Sequence, residues 1–151
     1  EQARALIEGC KTSVYGSVWG REAERLSSTF RKAVESEKEI VLFSFNPLPA
    51  DTGRHYSYGI PEHQLEKYWA HKVILIADNT RALVGGAEET EDNRVVVTEE
   101  MALVEMAISN LVLDITLYGQ RKNIDTSDVV SNLTVNMAPL DELVDPESPT
   151  S

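Results

Sequence analysis

Sulfur gives this chain no internal crosslink. Its one cysteine, Cys10, has no partner thiol, and nothing around it has metal-ligand spacing. It reads as a small apolar residue on a helix face rather than as a nucleophile. With a charged start and no apolar leader-like run, this cysteine usage fits a cytoplasmic protein. Basic charge is also scarce: 14 Lys and Arg stand against 25 Asp and Glu, a formal net charge of -11. Such a surface repels phosphate backbones, which argues against nucleic-acid binding by this chain alone. The histidines, His55, His63 and His71, are scattered, so no metal site is expected. A glycine-rich phosphate loop is lacking, since Gly85-Gly86 is too short, and no cofactor is expected. Uninterrupted apolar runs are short. The longest, "MALVEMAISNLVLDITLYG", is broken by Glu105, Asn110 and Asp114. Two carboxylates in such a run argue for a buried core helix rather than a membrane span. The sequon at Asn132 carries no meaning in a cytoplasmic protein.

What is present suffices for one domain: 151 residues, 42% of them hydrophobic. "EQARALIEGCK" reads as a short helix that starts in mid-pattern, as a fragment of a longer protein would. "TSVYGSVW" reads as a strand. In "REAERLSSTFRKAVES", Ala23, Leu26, Phe30, Ala33 and Val34 fall at helical spacing. "EIVLFSF" is a continuous apolar run, as in a central strand covered on both faces. Strand, helix, strand at these lengths is a βαβ unit and implies parallel pairing. The prolines and glycine of "NPLPADTGRH" make a loop, and "YSYGI" reads as a short edge strand. "PEHQLEKYW" places proline at a first helical position. "KVILIA", the turn "DNT" and "RALVGG" form a hairpin. "AEETEDN" is an acidic loop, "RVVVT" a further strand, and Thr98 an N-cap for a long helix reaching Tyr118. From Gln120 onward the signals weaken toward a partly flexible tail.

Three stretches carry a family resemblance: "ALIEGCKTSVYGSVWGREAERL", "KVILIADNTRALVGG" and "RVVVTEEMALVEMAISNLVLDITLYG". In these the chain resembles the effector-binding domain of TrmB-type, sugar-sensing transcriptional regulators. That resemblance implies an α/β, phospholipase-D-like mixed sheet with a βαβ start, a central β-hairpin and flanking helices. It divides the chain into residues 1–11 as the end of a linker helix, 12–119 as the effector domain and 120–151 as a C-terminal extension. It also implies a homodimer, with DNA contacted only through a winged helix-turn-helix upstream of Glu1.

Phospholipase-D-type enzymes carry His-x-Lys-x4-Asp, usually twice, with histidine as nucleophile and lysine neutralising the phosphate. His71 and Asp78 keep the histidine-to-aspartate interval, but Val73 holds the lysine position. Lys72 is adjacent to His71, and neighbours on a strand face opposite ways. No second copy exists, because Ser57 and Leu65 stand two residues after the other histidines. Asp78 is expected to serve the turn, accepting from the backbone of Asn79 and Thr80. The expectation is therefore not an enzyme but a sensing domain. The alternatives are a phospholipase-D-type phosphodiesterase and a ligand-free dimerisation module.

In open α/β sheets ligands bind beyond the carboxyl ends of parallel strands. A sugar or related polyol needs an apolar face, which Trp19 offers, and convergent hydrogen-bonding groups. Ser17, Arg21, Glu22, Ser44 and Asn46 are candidates for those groups. Tyr56 and Tyr58 share a strand face, and Glu88 leaves the hairpin beside small residues. Asp114, a carboxylate on the most apolar helix, requires either a core partner or a ligand.

Overall fold

The computed structural model describes residues 1–86 and 95–137. The chain opens with helix α1 (Gln2–Glu8) and strand β1 (Ser13–Ser17). One helix was expected next, but two form: α2 (Gly20–Arg25) and α3 (Ser27–Glu35). The break falls at Leu26 (φ -97°, ψ 3°), just before Ser27 and Ser28, whose hydroxyls compete with the helical backbone. Strand β2 (Glu39–Ser44) pairs parallel with β1, Val14 opposite Ile40, as the βαβ pattern requires.

Edge strand β3 is Arg54–Ser57, two residues earlier than "YSYGI" suggests, and it runs parallel to β2. Gly53 makes this approach possible. Its φ is +106°, and a Cβ there would lie 2.4 Å from the Ile40 carbonyl oxygen. Pro61 precedes the short helix α4 (Glu62–Leu65). Then β4 (Lys72–Ala77) and β5 (Arg81–Gly86) form the expected hairpin. Its turn has Asp78 and Asn79 both at left-handed φ, 54° and 55°, as tight hairpins between twisted strands demand.

Strand β6 (Val95–Thr98) completes a six-stranded mixed sheet in the order β3-β2-β1-β4-β5-β6. β1 is parallel to β2 but antiparallel to β4, so the carboxyl ends of β1, β2 and β3 meet the amino end of β4. As the outer strand, β6 leaves Val95, Val96 and Val97 exposed.

Alternating side chains divide the core into two layers. On one face Val14, Leu42, Val73 and Leu75 pack with Ile7 of α1 and Phe30 of α3. On the other, Tyr15, Val41, Phe43 and Ile76 pack against helix α5 (Met101–Lys122). α5 runs one turn beyond Tyr118 and ends where Asn123 turns left-handed at φ 55°. By length and composition it could cross a membrane. Here Val104, Ile108, Leu111 and Ile115 form a buried stripe at helical spacing against the sheet. The expected buried helix is buried on one face, with Met106 and Leu113 exposed on the other. Thr98 is not its N-cap; Glu100 is, and Thr98 Oγ1 accepts from the Glu100 amide at 3.0 Å.

Residues after 119 contribute to the core. Helix α6 (Ser127–Leu133) inserts Val129 and Leu133, both fully buried. The stretch beyond 137 and the expected acidic loop "AEETEDN" lie outside the described residues.

Candidate functional site

The turn at the end of β4 explains Asp78. Its carboxylate accepts from the backbone amides of Lys11 (2.9 Å), Thr12 (2.7 Å) and Ser13 (3.1 Å) and from the Thr12 hydroxyl (2.9 Å). Burial pushes this carboxyl up, but the four donors outweigh it and hold the group below the usual carboxylate range. The expected bonds from Asn79 and Thr80 do not form; Asp78 instead clamps the start of β1 to the hairpin. It sits at the far end of β4 from His71.

His71, at the opposite end of β4, lies where three strand ends converge. Trp19 lies two residues past β1 as the N-cap of α2, and its ring stacks on the imidazole with centroids 4.3 Å apart, tilted 24°. Glu22, in the first turn of α2, places Oε2 2.7 Å from His71 Nε2. A carboxylate there fixes the imidazole proton on Nε2 and leaves Nδ1 as the basic nitrogen. The histidine side chain is 3% exposed and that of Glu22 12%. Glu22 Oε1 is buried without a hydrogen-bond partner among the described residues. Lys72 faces away, and Val73 is buried in the α1–α3 layer. The parity argument therefore holds: histidine and lysine lie on opposite faces of the sheet.

Asn46 knots the strand ends together. Its Oδ1 accepts from the Gly20 amide (2.8 Å), its Nδ2 donates to the Ile60 carbonyl (3.0 Å), and its own amide donates to Ser44 Oγ (3.0 Å). Ser44 and Asn46, both buried, thus spend their hydrogen bonds on one another and on the backbone. Ser17 sits in the ladder between Phe43 and Ile74. Arg21 donates from Nε to Glu62 (2.8 Å) and reaches Glu66, which ties α2 to α4. Of the predicted set, the fold brings together Trp19 and Glu22, with His71 between them. Glu88 lies outside the described residues.

Tyr56 and Asp114 are on the other face. Tyr56 is buried, its ring 5.5 Å from that of Tyr118. Asp114 opens onto a cleft of about 360 Å³ walled by Phe45, Tyr58, Trp69 and Leu117, with Arg121 at the rim. Burial pushes the Asp114 carboxyl up, opposed by the charge of Lys72. Phe45, Trp69 and Arg121 were not anticipated as lining. Asp114, Leu117 and Arg121 fall at i, i+3 and i+7 on one helix face, a signal the sequence does hold. The aromatic wall comes from distant segments and leaves no local trace. Among the described residues no group of three or more His, Cys, Asp or Glu could hold a metal ion.

No family model matches the chain, and no curated protein matches it. Among solved structures it is similar to NucT from Helicobacter pylori, with a TM-score of 0.55 and 8% sequence identity, covering 76% of this chain and 86% of that one. The architecture is a phospholipase-D-like fold, as expected. NucT is a phospholipase-D-like nuclease, and this overturns the expectation that the chain is not an enzyme.

Proposed function

We propose that this chain is a phospholipase-D-type unit directed at phosphodiesters, with His71 as its reacting residue. One observation carries the reading: a histidine whose Nε2 is held 2.7 Å from a carboxylate, at the carboxyl edge of a phospholipase-D-like sheet. That pairing is how an imidazole is oriented for nucleophilic work. Nδ1 would attack phosphorus, the P–O bond to the leaving alcohol would break, and a phosphohistidine would form. Water would then cleave the P–N bond. Two chains meeting at this edge would place a second His71 to protonate the leaving oxygen. Trp19 covers the imidazole and has to swing aside to admit a substrate.

The test is hydrolysis of bis-p-nitrophenyl phosphate by wild type, His71→Ala and Glu22→Gln. Expected is a turnover that falls at least about 100-fold without the histidine and about 10-fold or more without the orienting carboxylate. Turnover indifferent to His71 would refute the reading.

A second reading is favoured by Val73, which fills the lysine position and is buried in the core. It is the effector-binding domain of a cytoplasmic, homodimeric TrmB-like regulator, sensing a sugar or related polyol. Ligand would shift the arrangement of two subunits and so the operator affinity of an upstream DNA-binding domain. A thermal-shift screen against sugars and sugar phosphates tests it; a flat response removes its support.

A further inference from the structure

The cleft on the α5 face is unlike the rest of the surface. In a chain of formal charge -11, three cations lie against aromatic rings that line it: Arg121, itself part of the lining, and Lys72 and Lys122 beside it. Lys72 Nζ lies 5.3 Å from the Trp69 ring centroid. The Arg121 guanidinium and Lys122 Nζ each lie 5.8 Å from that of Tyr58. None of the three has a carboxylate within ion-pair distance among the described residues, and Arg121 Nη1 donates only to the Tyr58 hydroxyl, at a long 3.4 Å. The aromatic wall is accessible: Trp69 is 46% exposed, and Phe45 and Tyr58 are half-buried. Asp114 supplies one acceptor on the floor.

Cations with no carboxylate in ion-pair reach among the described residues, set around an accessible aromatic wall, suit a ligand with a flat ring and an anionic tail. Stacking on the wall binds the ring, and Arg121 and Lys72 draw the anion. A lone acceptor such as Asp114 selects a ring bearing an N–H donor. We propose that this cleft binds a nucleoside monophosphate, with its base on the exposed Trp69 ring, its amino group on Asp114 and its phosphate between Arg121 and Lys72. The site lies across the sheet from His71 and goes beyond the reading of that histidine.

Calorimetric titration with AMP, adenosine, ribose 5-phosphate and maltose tests it. AMP should bind saturably, and adenosine and ribose 5-phosphate each at least about 10-fold more weakly, since each lacks one of the two anchors. Trp69→Leu and Arg121→Gln should each weaken AMP about 10-fold or more, with unchanged circular dichroism. Asp114→Asn, which exchanges the pure acceptor for a mixed one, should narrow the preference for AMP over purine riboside 5′-monophosphate, whose base carries no N–H donor. No saturable AMP binding, AMP binding indifferent to both Trp69 and Arg121, or maltose binding at this cleft in place of AMP would each overturn the proposal. Turnover of bis-p-nitrophenyl phosphate is measured on the same preparations, so loss of one reading is seen separately from loss of the other.

Discussion

Removing the Asp78 carboxylate tests how the sheet is held together. Four donors on Lys11, Thr12 and Ser13 bond to this one side chain, the Lys11 amide reaching both of its oxygens. A hydrogen bond to a charged group contributes about 1.5–3 kcal/mol, but the donors at Lys11 and Thr12 are exposed, so water replaces part of each. The net loss for Asp78→Gly, which keeps the left-handed backbone at no cost, is about 2–4 kcal/mol. Asp78→Ala adds about 1 kcal/mol because an alanine resists the φ of 54° seen here. Asp78→Asn keeps an oxygen at the Oδ1 position, which takes the Thr12 and Ser13 donors, and should lose about half as much as Asp78→Gly. Urea unfolding measures all three, with midpoints lowered by about 1–2 M for Asp78→Gly at an unchanged slope. The pH dependence has a fixed sign. The folded carboxyl lies below its ordinary value of 3.8, so its stabilisation is complete well above that pH and is lost as the pH falls through and below it. The gap between wild type and Asp78→Asn should therefore close in acid. An Asp78→Gly protein within about 0.5 kcal/mol of wild type, or a gap that widens in acid, refutes the clamp.

Two further sets of substitutions probe stability. His71→Ala leaves the Glu22 carboxylate buried without its partner and should cost about 3–5 kcal/mol, whereas replacing both residues by leucine should recover much of that; thermal unfolding of the three proteins checks it. Gly53→Ala drives a Cβ against the Ile40 carbonyl and should lower stability by at least about 2 kcal/mol. Gly59→Ala, at φ +69° with nothing within 4 Å, should cost only about 1 kcal/mol, and urea midpoints for the pair separate steric clash from backbone strain.

The regular parts of the fold were legible in the sequence because their signals are local. "EIVLFSF" and "KVILIA" announce covered strands, and "DNT" announces a hairpin turn. α6 was not legible: with Val129, Val130 and Leu133 as its apolar residues, seven residues hold too little periodicity, and tertiary packing makes the helix. The site divides the same way. Trp19 and Glu22 were visible as candidates from their place at a strand end, and His71 from its motif. That they form one stack of ring, imidazole and carboxylate depends on β4 running antiparallel to β1, which no local pattern states. Ser44 and Asn46 have the residue types of a sugar site, yet the strand ends consume their hydrogen bonds. Asp114 was singled out for its cost in an apolar helix, and the cleft beside it explains how that cost is tolerated.

The sheet's change from parallel to antiparallel pairing at β1 bears on the order in which the chain assembles. β4 and β5 are joined by a tight turn and can zip at once, whereas the entry to β1 meets the hairpin only across a sequence separation of 66, from Thr12 to Asp78. Closing a loop of that length costs on the order of 4 kcal/mol in chain entropy. The residue that offsets it sits on the hairpin turn itself. Once the fast hairpin forms, Asp78 is already oriented as an acceptor for three consecutive amides of the incoming strand. The turn then serves as a docking template that sets the register of the slow, long-range half of the sheet.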